Sequence, residues 1–201
     1  MSEFDEFISK SFSEVIKKNL DPITEKKIKL TLFKKYGLSI KQSIKDFSKL
    51  DEILKDELKS TAPIFEKKCL MEIITIKIRK NSTLITIKDK NLNNLMIDIF
   101  GDKEFRKIIE VTMLSPLLIS EIISQCNLPK TSGYRKVSNL IRNGLLKSQK
   151  KEFTKKRRRI ERFTPIFQKF IFEINENQSK VSMELPPEIL NQSSVIKIIN
   201  P

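Results

Sequence analysis

The 201-residue sequence has no histidine, no tryptophan, a single alanine (Ala62), four glycines and two cysteines. Without histidine the commonest general base and the commonest metal ligand are gone. Cys69 and Cys126 stand far apart with no CxxC or Cys/His cluster around them. That excludes a zinc ribbon, a dithiol redox motif and a disulfide framework, and it makes a reducing, cytoplasmic compartment the expectation. There is no Gly-rich phosphate loop and no nucleophile motif, so no enzyme, cofactor or metal site is expected. The acidic pairs Asp51-Glu52 and Asp56-Glu57 fall on an exposed face of a predicted helix, where solvation or pairing with lysine accounts for them. Charged residues interrupt every apolar stretch well short of the roughly 18 needed to span a bilayer, and no signal peptide is seen, so no membrane partner is expected.

What the chain does have is positive charge: 39 Lys+Arg against 25 Asp+Glu, formally +14. The total is compromised by vocabulary, because 31 of the 39 are lysines in a Lys-, Ile- and Asn-rich chain of the kind A+T-rich codons spell. The distribution is more telling. Residues 130–165 carry 13 basic and 2 acidic side chains, net +11, and six of the eight arginines. Residues 81–129 and 166–201 are each net −1, and residues 1–80 are net +5. Codon usage spreads lysines; it does not gather arginines. A single charge run is ordinarily a solvated face, but a segment this lopsided points to an anionic partner.

The expected fold is mainly α with small β. At roughly 100–200 residues per domain the length allows one large or two small domains. The first 80 residues read as helices. Phe4, Phe7, Ile8, Phe12, Val15 and Ile16 share one helical face. Asp21-Pro22 is an N-cap followed by proline at N1, and Ile23, Ile28, Leu30, Leu32, Phe33 and Tyr36 are expected to face inward until Gly37 ends the helix. Ser39 caps a short helix to Ile44, Ser48 with Asp51 resembles a capping box, and a fifth helix begins near Ala62-Pro63. Ile74, Ile76 and Ile78 alternate like a strand that Leu84–Lys88 pairs with; a helix continuing to about Lys80 fits the apolar spacing equally.

From Asp102 three helices follow in close order. Phe105, Ile108, Ile109, Thr112 and Met113 form the first; Leu118, Ile122 and Ile123 form a short second; Asn127-Leu128-Pro129 breaks the chain; and the third runs from about Thr131 to Asn143, with Gly144 as a left-handed cap. A short turn between the second and third helices describes a helix-turn-helix. Leu145–Phe153 and Arg159–Thr164 then read as strands flanking a basic tip, the wing. In the third helix Gly133, Val137, Leu140 and Ile141 face inward. Arg135, Ser138, Asn139 and Arg142 lie on the opposite face with Ser132 and Lys136 flanking them. Ser132, Tyr134, Arg135 and Ser138 are placed to read base edges, and Thr131 is counted among the DNA contacts. Lys130, Arg142 and the tip cations Lys155, Lys156, Arg157, Arg158 and Arg159 are placed to hold phosphates.

Leu117–Leu146, with Ser120-Glu121-Ile122, Leu128-Pro129-Lys130-Thr131, Tyr134-Arg135-Lys136-Val137 and Gly144-Leu145-Leu146, resembles the winged helix-turn-helix core of ArsR-like regulators of bacteria and archaea. The resemblance covers about residues 101–175 and implies a DNA-binding fold. Metal-sensing members carry paired cysteines near the second helix, whereas Cys126 is solitary. Residues 1–80, through DPITEKKIKLTLFKKYGLSIKQSIKDF and FEKKCLMEII, are similar to a small helical output domain of archaeal regulators, which implies a helical Ile74 region.

Beyond the wing, Phe170, Phe172 and Ile174, then Val181, Met183 and Leu185, alternate as a β-hairpin. This hairpin or the terminal segment is expected to contribute to a two-fold dimer interface. The expected organisation is a helical domain over 1–80 for a signal or protein partner, a linker over 81–100, a winged helix-turn-helix over 101–165, and a C-terminal hairpin and tail over 166–201. The expected function is a homodimeric transcriptional regulator that binds double-stranded DNA. The alternative is a non-enzymatic winged-helix adaptor for protein or RNA.

Overall fold

A computed structural model describes residues 2–149, 152–153, 159–175 and 178–199. The architecture is mainly helical, with one four-stranded antiparallel sheet and a smaller paired region. Among the described residues no helix is long and apolar enough to cross a membrane.

The N-terminal helices begin where the capping signals lie. Ser2 caps α1 (Glu3–Asn19), which buries Phe4, Phe7, Ile8, Phe12 and Ile16. Asp21 Oδ1 accepts the backbone N–H groups of Ile23 and Thr24, both at 3.0 Å, at the start of α2 (Pro22–Tyr36), and Gly37 ends it at φ 65°. Ser39 and Gln42 form a capping box on α3 (Ile40–Ser43). Two expectations fail here. Only Ile28 and Leu32 are fully buried on α2, while Ile23, Leu30 and Phe33 are 81%, 50% and 70% exposed, because α2 packs on α4 (Phe47–Leu58) along one stripe alone. Nor does Ser48 cap α4, which starts earlier and spans Phe47–Leu58. Phe47 is buried against Phe12, ring centroids 5.5 Å apart, and its N–H donates to Ser194 Oγ from the far end of the chain at 2.9 Å.

α5 (Ala62–Ile73) gives way at once to β1 (Ile74–Ile78), which pairs with β2 (Thr83–Ile87). The strand reading of residues 74–88 therefore holds, and the helical one implied by the output-domain resemblance does not. The backbone N–H groups of Lys88 and Asp89 both donate to the Ile73 carbonyl, so the returning strand closes the helix end. β2 in turn pairs with a strand from the C-terminal region. β7 (Lys169–Asn175) and β8 (Gln178–Leu185) form the expected hairpin, and the sheet order is β1-β2-β8-β7, with Ile76, Ile85, Met183 and Phe170 in one row across it.

The expected linker over 81–100 is replaced by β2 and α6 (Lys90–Gly101), because Ile85, Ile87, Leu92, Met96 and Ile99 all have apolar surfaces to cover. Asp89 caps α6 and also accepts a hydrogen bond from Ser11 Oγ at 2.6 Å, tying it to α1. Nor is the C-terminal tail peripheral. After α10 (Pro187–Asn191), α11 (Ser194–Ile199) inserts among α4, α5 and the 3-10 turn Ile44–Asp46. Asp5, buried in α1, accepts hydrogen bonds from the Ser193 and Ser194 hydroxyls and from the Ser194 N–H. The terminal segment is thus core of its own chain rather than a free dimerisation element.

Candidate nucleic-acid interface

Between α6 and β7 lies the segment with the charge concentration. Asp102 Oδ1 accepts the N–H groups of Glu104 and Phe105 at 2.7 and 3.1 Å to start α7 (Lys103–Leu114). On α7 Ile108, Ile109 and Thr112 are buried, but Met113 is 46% exposed near the helix end. α8 (Ile119–Gln125) and α9 (Lys130–Arg142) follow, joined by a turn in which Asn127 takes φ 52°. β3 (Leu146–Ser148) pairs with β6 (Phe163–Pro165), and β4 (Glu152–Phe153) pairs with β5 (Arg159–Ile160). Leu117, ahead of α8, bridges to Phe163 through two backbone hydrogen bonds of 3.1 and 2.8 Å.

Two glycines set how α9 sits. A Cβ on Gly133 would lie 2.8 Å from Ile123 Cγ1, so α8 and α9 cross as closely as they do only because that position has no side chain. Gly144 takes φ 68°, and its Cβ would lie 2.3 Å from the Glu3 carbonyl oxygen. The exit of α9 is thereby pressed against the first turn of α1. Val137 and Leu140 are fully buried on the inner side.

The outer side of α9 separates the expected contact residues into two groups. Lys130, Thr131, Tyr134 and Arg135 are exposed, Ser138 is half-buried, and none of their side chains has a hydrogen-bond or ion-pair partner among the described residues. Ser132 Oγ turns back to donate to the Pro129 carbonyl at 3.2 Å. Pro129 provides no side-chain cap, so the first-turn N–H groups of α9 remain open to an anion.

Lys136 is a correction. Its ammonium bonds Asp102 and reaches Glu104 at 3.3 Å, stands 4.4 Å above the Phe105 ring centre, and the side chain is only 14% exposed. Burial works against its charge, yet the bonds to Asp102 and Glu104 outweigh it and hold the pKa above the ordinary lysine value. The same contact, with the Glu104 and Phe105 amides, keeps the Asp102 carboxyl below its usual range. Lys136 therefore clamps α9 to the start of α7 and is not available to a phosphate. Its sequence neighbourhood held no sign of this, since its partners lie over 30 positions away. Asn139 is likewise engaged: its carbonyl and side-chain oxygens accept from Asn143 Nδ2 at 2.9 and 2.8 Å. Arg162, a further member of the basic segment, pairs with Glu121 at 2.8 Å, and Glu121 also accepts the Leu118 N–H at the start of α8.

Arg142 is exposed at the far end of α9, where it lines a cleft with Lys10 of α1 and Lys41 of α3. The two lysines were not foreseen as neighbours, because only the docking of α1 on Gly144 brings them there. Arg159 opens β5, and Lys155, Lys156, Arg157 and Arg158 lie outside the described residues.

Cys126 and Cys69 are buried, and burial pushes both thiols up, Cys69 to about 12, which disfavours thiolate chemistry at neutral pH. No group of three or more His, Cys, Asp or Glu side chains among the described residues is arranged to hold a metal ion. Comparison with known proteins places no relative beside this chain: no family model matches it, and no curated protein and no solved structure does so either.

Proposed function

We propose that the protein is a DNA-binding transcriptional regulator of ArsR-like, winged helix-turn-helix type, with α9 entering the major groove. The observation that carries this reading is the outer face of α9, where Lys130, Thr131, Tyr134, Arg135 and Ser138 stand without side-chain partners among the described residues, on a helix seated by Gly133, Val137 and Leu140. At 13 residues α9 is roughly 20 Å long, a length suited to a major groove. Arg135 offers a bidentate fork for a guanine edge, and Tyr134 and Ser138 flank it one and three positions away. Lys130 and the open amides of the first turn suit a phosphate, as do the cations between β4 and β5. Lys136 and Arg162 take no part, being held by acids of the same chain.

The test is a salt titration of binding to DNA from the protein's own upstream region. With about six phosphates neutralised, log K against log salt should slope at about −5. A flat response overturns the reading. Arg135→Ala should relax sequence choice at roughly 1–3 kcal/mol, while Lys156→Ala with Arg157→Ala should weaken binding to all sequences alike.

A second reading, an adaptor that binds protein through the N-terminal helices, is favoured by α2, where Ile23, Leu30 and Phe33 are exposed on one side of the helix with Lys26 among them. It predicts weak DNA affinity that does not distinguish upstream from random DNA.

A further inference from the structure

The four-stranded sheet ends on β7, which pairs with β8 on one side and, among the described residues, with no strand on the other. A free strand edge is a template for another chain, and soluble proteins usually blunt it with inward charge, proline or a bulge. β7 (KFIFEIN) is continuous and carries none of these within its paired run. Its apolar face is also incompletely covered. Phe170 stacks on Phe100 of α6, ring centroids 3.5 Å apart, but Phe172 is 45% and Ile174 76% exposed on the same face.

We infer that β7 pairs antiparallel with β7 of a second copy about a two-fold axis at Ile171, joining two sheets into one of eight strands. The occupant is identified by self-complementarity. Pairing about Ile171 sets Lys169 opposite the second copy's Glu173, and Glu173 opposite its Lys169, with Ile171 beside itself between them. On the other face Phe170 lies opposite Phe172 twice over. The sign alternation extends inward, since within each chain Lys169 is opposite Glu184, which pairs with Arg79, and Glu173 is opposite Lys180. A row of Arg79, Glu184, Lys169, then Glu173 and Lys180 of the second copy thus crosses the junction with no like charges adjacent. The neighbouring registers lack this property. An axis at Phe170 or Phe172 puts a charged residue opposite Ile171, and an axis at Lys169 or Glu173 puts that charge opposite itself. A closed two-fold contact of this kind uses the same patch on both partners and leaves no edge to propagate. The inference is independent of DNA binding.

The experiment is the mass of the full chain by light scattering and sedimentation at about 50 µM in near-physiological salt. The wild-type mass should be twice 23.5 kDa. Glu173→Lys and Lys169→Glu each place like charges opposite each other at two symmetric positions, and each should weaken the dimer about tenfold. Carrying both substitutions in one chain restores opposite charges across the junction while setting like charges beside Glu184 and Lys180 within each chain, so it should restore association in part. An equimolar mixture of the two single variants should form heterodimers tighter than either homodimer. Both positions are exposed, and unchanged melting of the dissociated variants would show that they still fold. A monomeric wild type overturns the inference. So does a dimer indifferent to both single substitutions, which would place the contact elsewhere, for instance on α2. Failure of the double substitution to restore association overturns it as well.

Discussion

Glu66 is a carboxyl group almost wholly enclosed between α4 and α5, 1% exposed, and its Oε1 has no hydrogen-bond partner in the described structure. Burial, reinforced by the nearby charge of Asp51, raises its pKa from the ordinary 4.5 to about 8, with Lys55 opposing. The folded protein therefore holds a proton that the unfolded chain releases above about 4.5. The stability this group contributes is complete below that value and is lost as pH rises through about 8. Melting temperature should fall between pH 5 and pH 9, and Glu66→Gln should flatten that decline and gain about 1 kcal/mol at the alkaline end. A slope unchanged in the variant would assign the titration to another group. Adjacent residues on α9 give a second contrast. Lys136→Ala removes a clamp on Asp102, Glu104 and Phe105 and should cost about 1–2 kcal/mol of stability while leaving sequence preference intact. Arg135→Ala should do the reverse, which thermal melts and binding to matched and mismatched DNA would separate. Reading the two lysine and arginine positions alike was natural from sequence, because helical periodicity puts both on the polar side. The acids that claim Lys136 belong to another helix.

Among elements, helix ends with a capping signal of their own were legible, while the start of α4, the whole of α6 and the contacts between helices were not. Asp21, Ser39, Gly37, Asp102 and Gly144 all act where their local chemistry said they would, since a cap needs only residues within a turn of itself. α2 was misjudged because an apolar residue does not reveal whether a neighbour exists to cover it; Phe33 is left 70% exposed. Ser48 was misjudged because the true start of α4 is capped by Ser194, from 147 positions away. Gly133 and Gly144 separate two kinds of close approach. At Gly144 the obstacle to a side chain is the backbone of α1, and the left-handed φ adds strain, so Gly144→Ala should cost at least about 2 kcal/mol. At Gly133 the obstacle is the side chain of Ile123, which can be trimmed. Gly133→Ala should be milder, and Ile123→Ala, which removes the γ and δ carbons the new methyl would meet, should couple favourably with it in a double-mutant cycle followed by denaturant titration.

At the scale of the molecule, the expected division into helical domain, linker, reading domain and tail gives way to a more woven arrangement. The partners that complete the sheet, β2 and β8, are almost 100 residues apart, as the 2.9 Å contact between Thr86 and Ser182 hydroxyls shows. No local pattern encodes such a pairing; alternation identifies a strand but not its neighbour. A fragment of residues 1–80 lacks β2, β8 and α11, and leaves Asp5 without its Ser193 and Ser194 donors. Such a fragment should fail to melt cooperatively, and removal of residues 186–201 from the full chain should lower the melting temperature by several degrees or abolish the transition.

The position of α7–α9 and β3–β6 in the chain order has a mechanical consequence. They lie between α6 and β7, both of which belong to the body built around the sheet, so this unit is held by two covalent tethers rather than one. The seating of Gly144 against the Glu3 carbonyl and the Phe7 amide adds a packed contact with α1 to those two tethers, so the orientation of α9 is fixed from three sides. A protease that nicks the connection after Gly101 would yield two bands in a denaturing gel and still one particle in a native one.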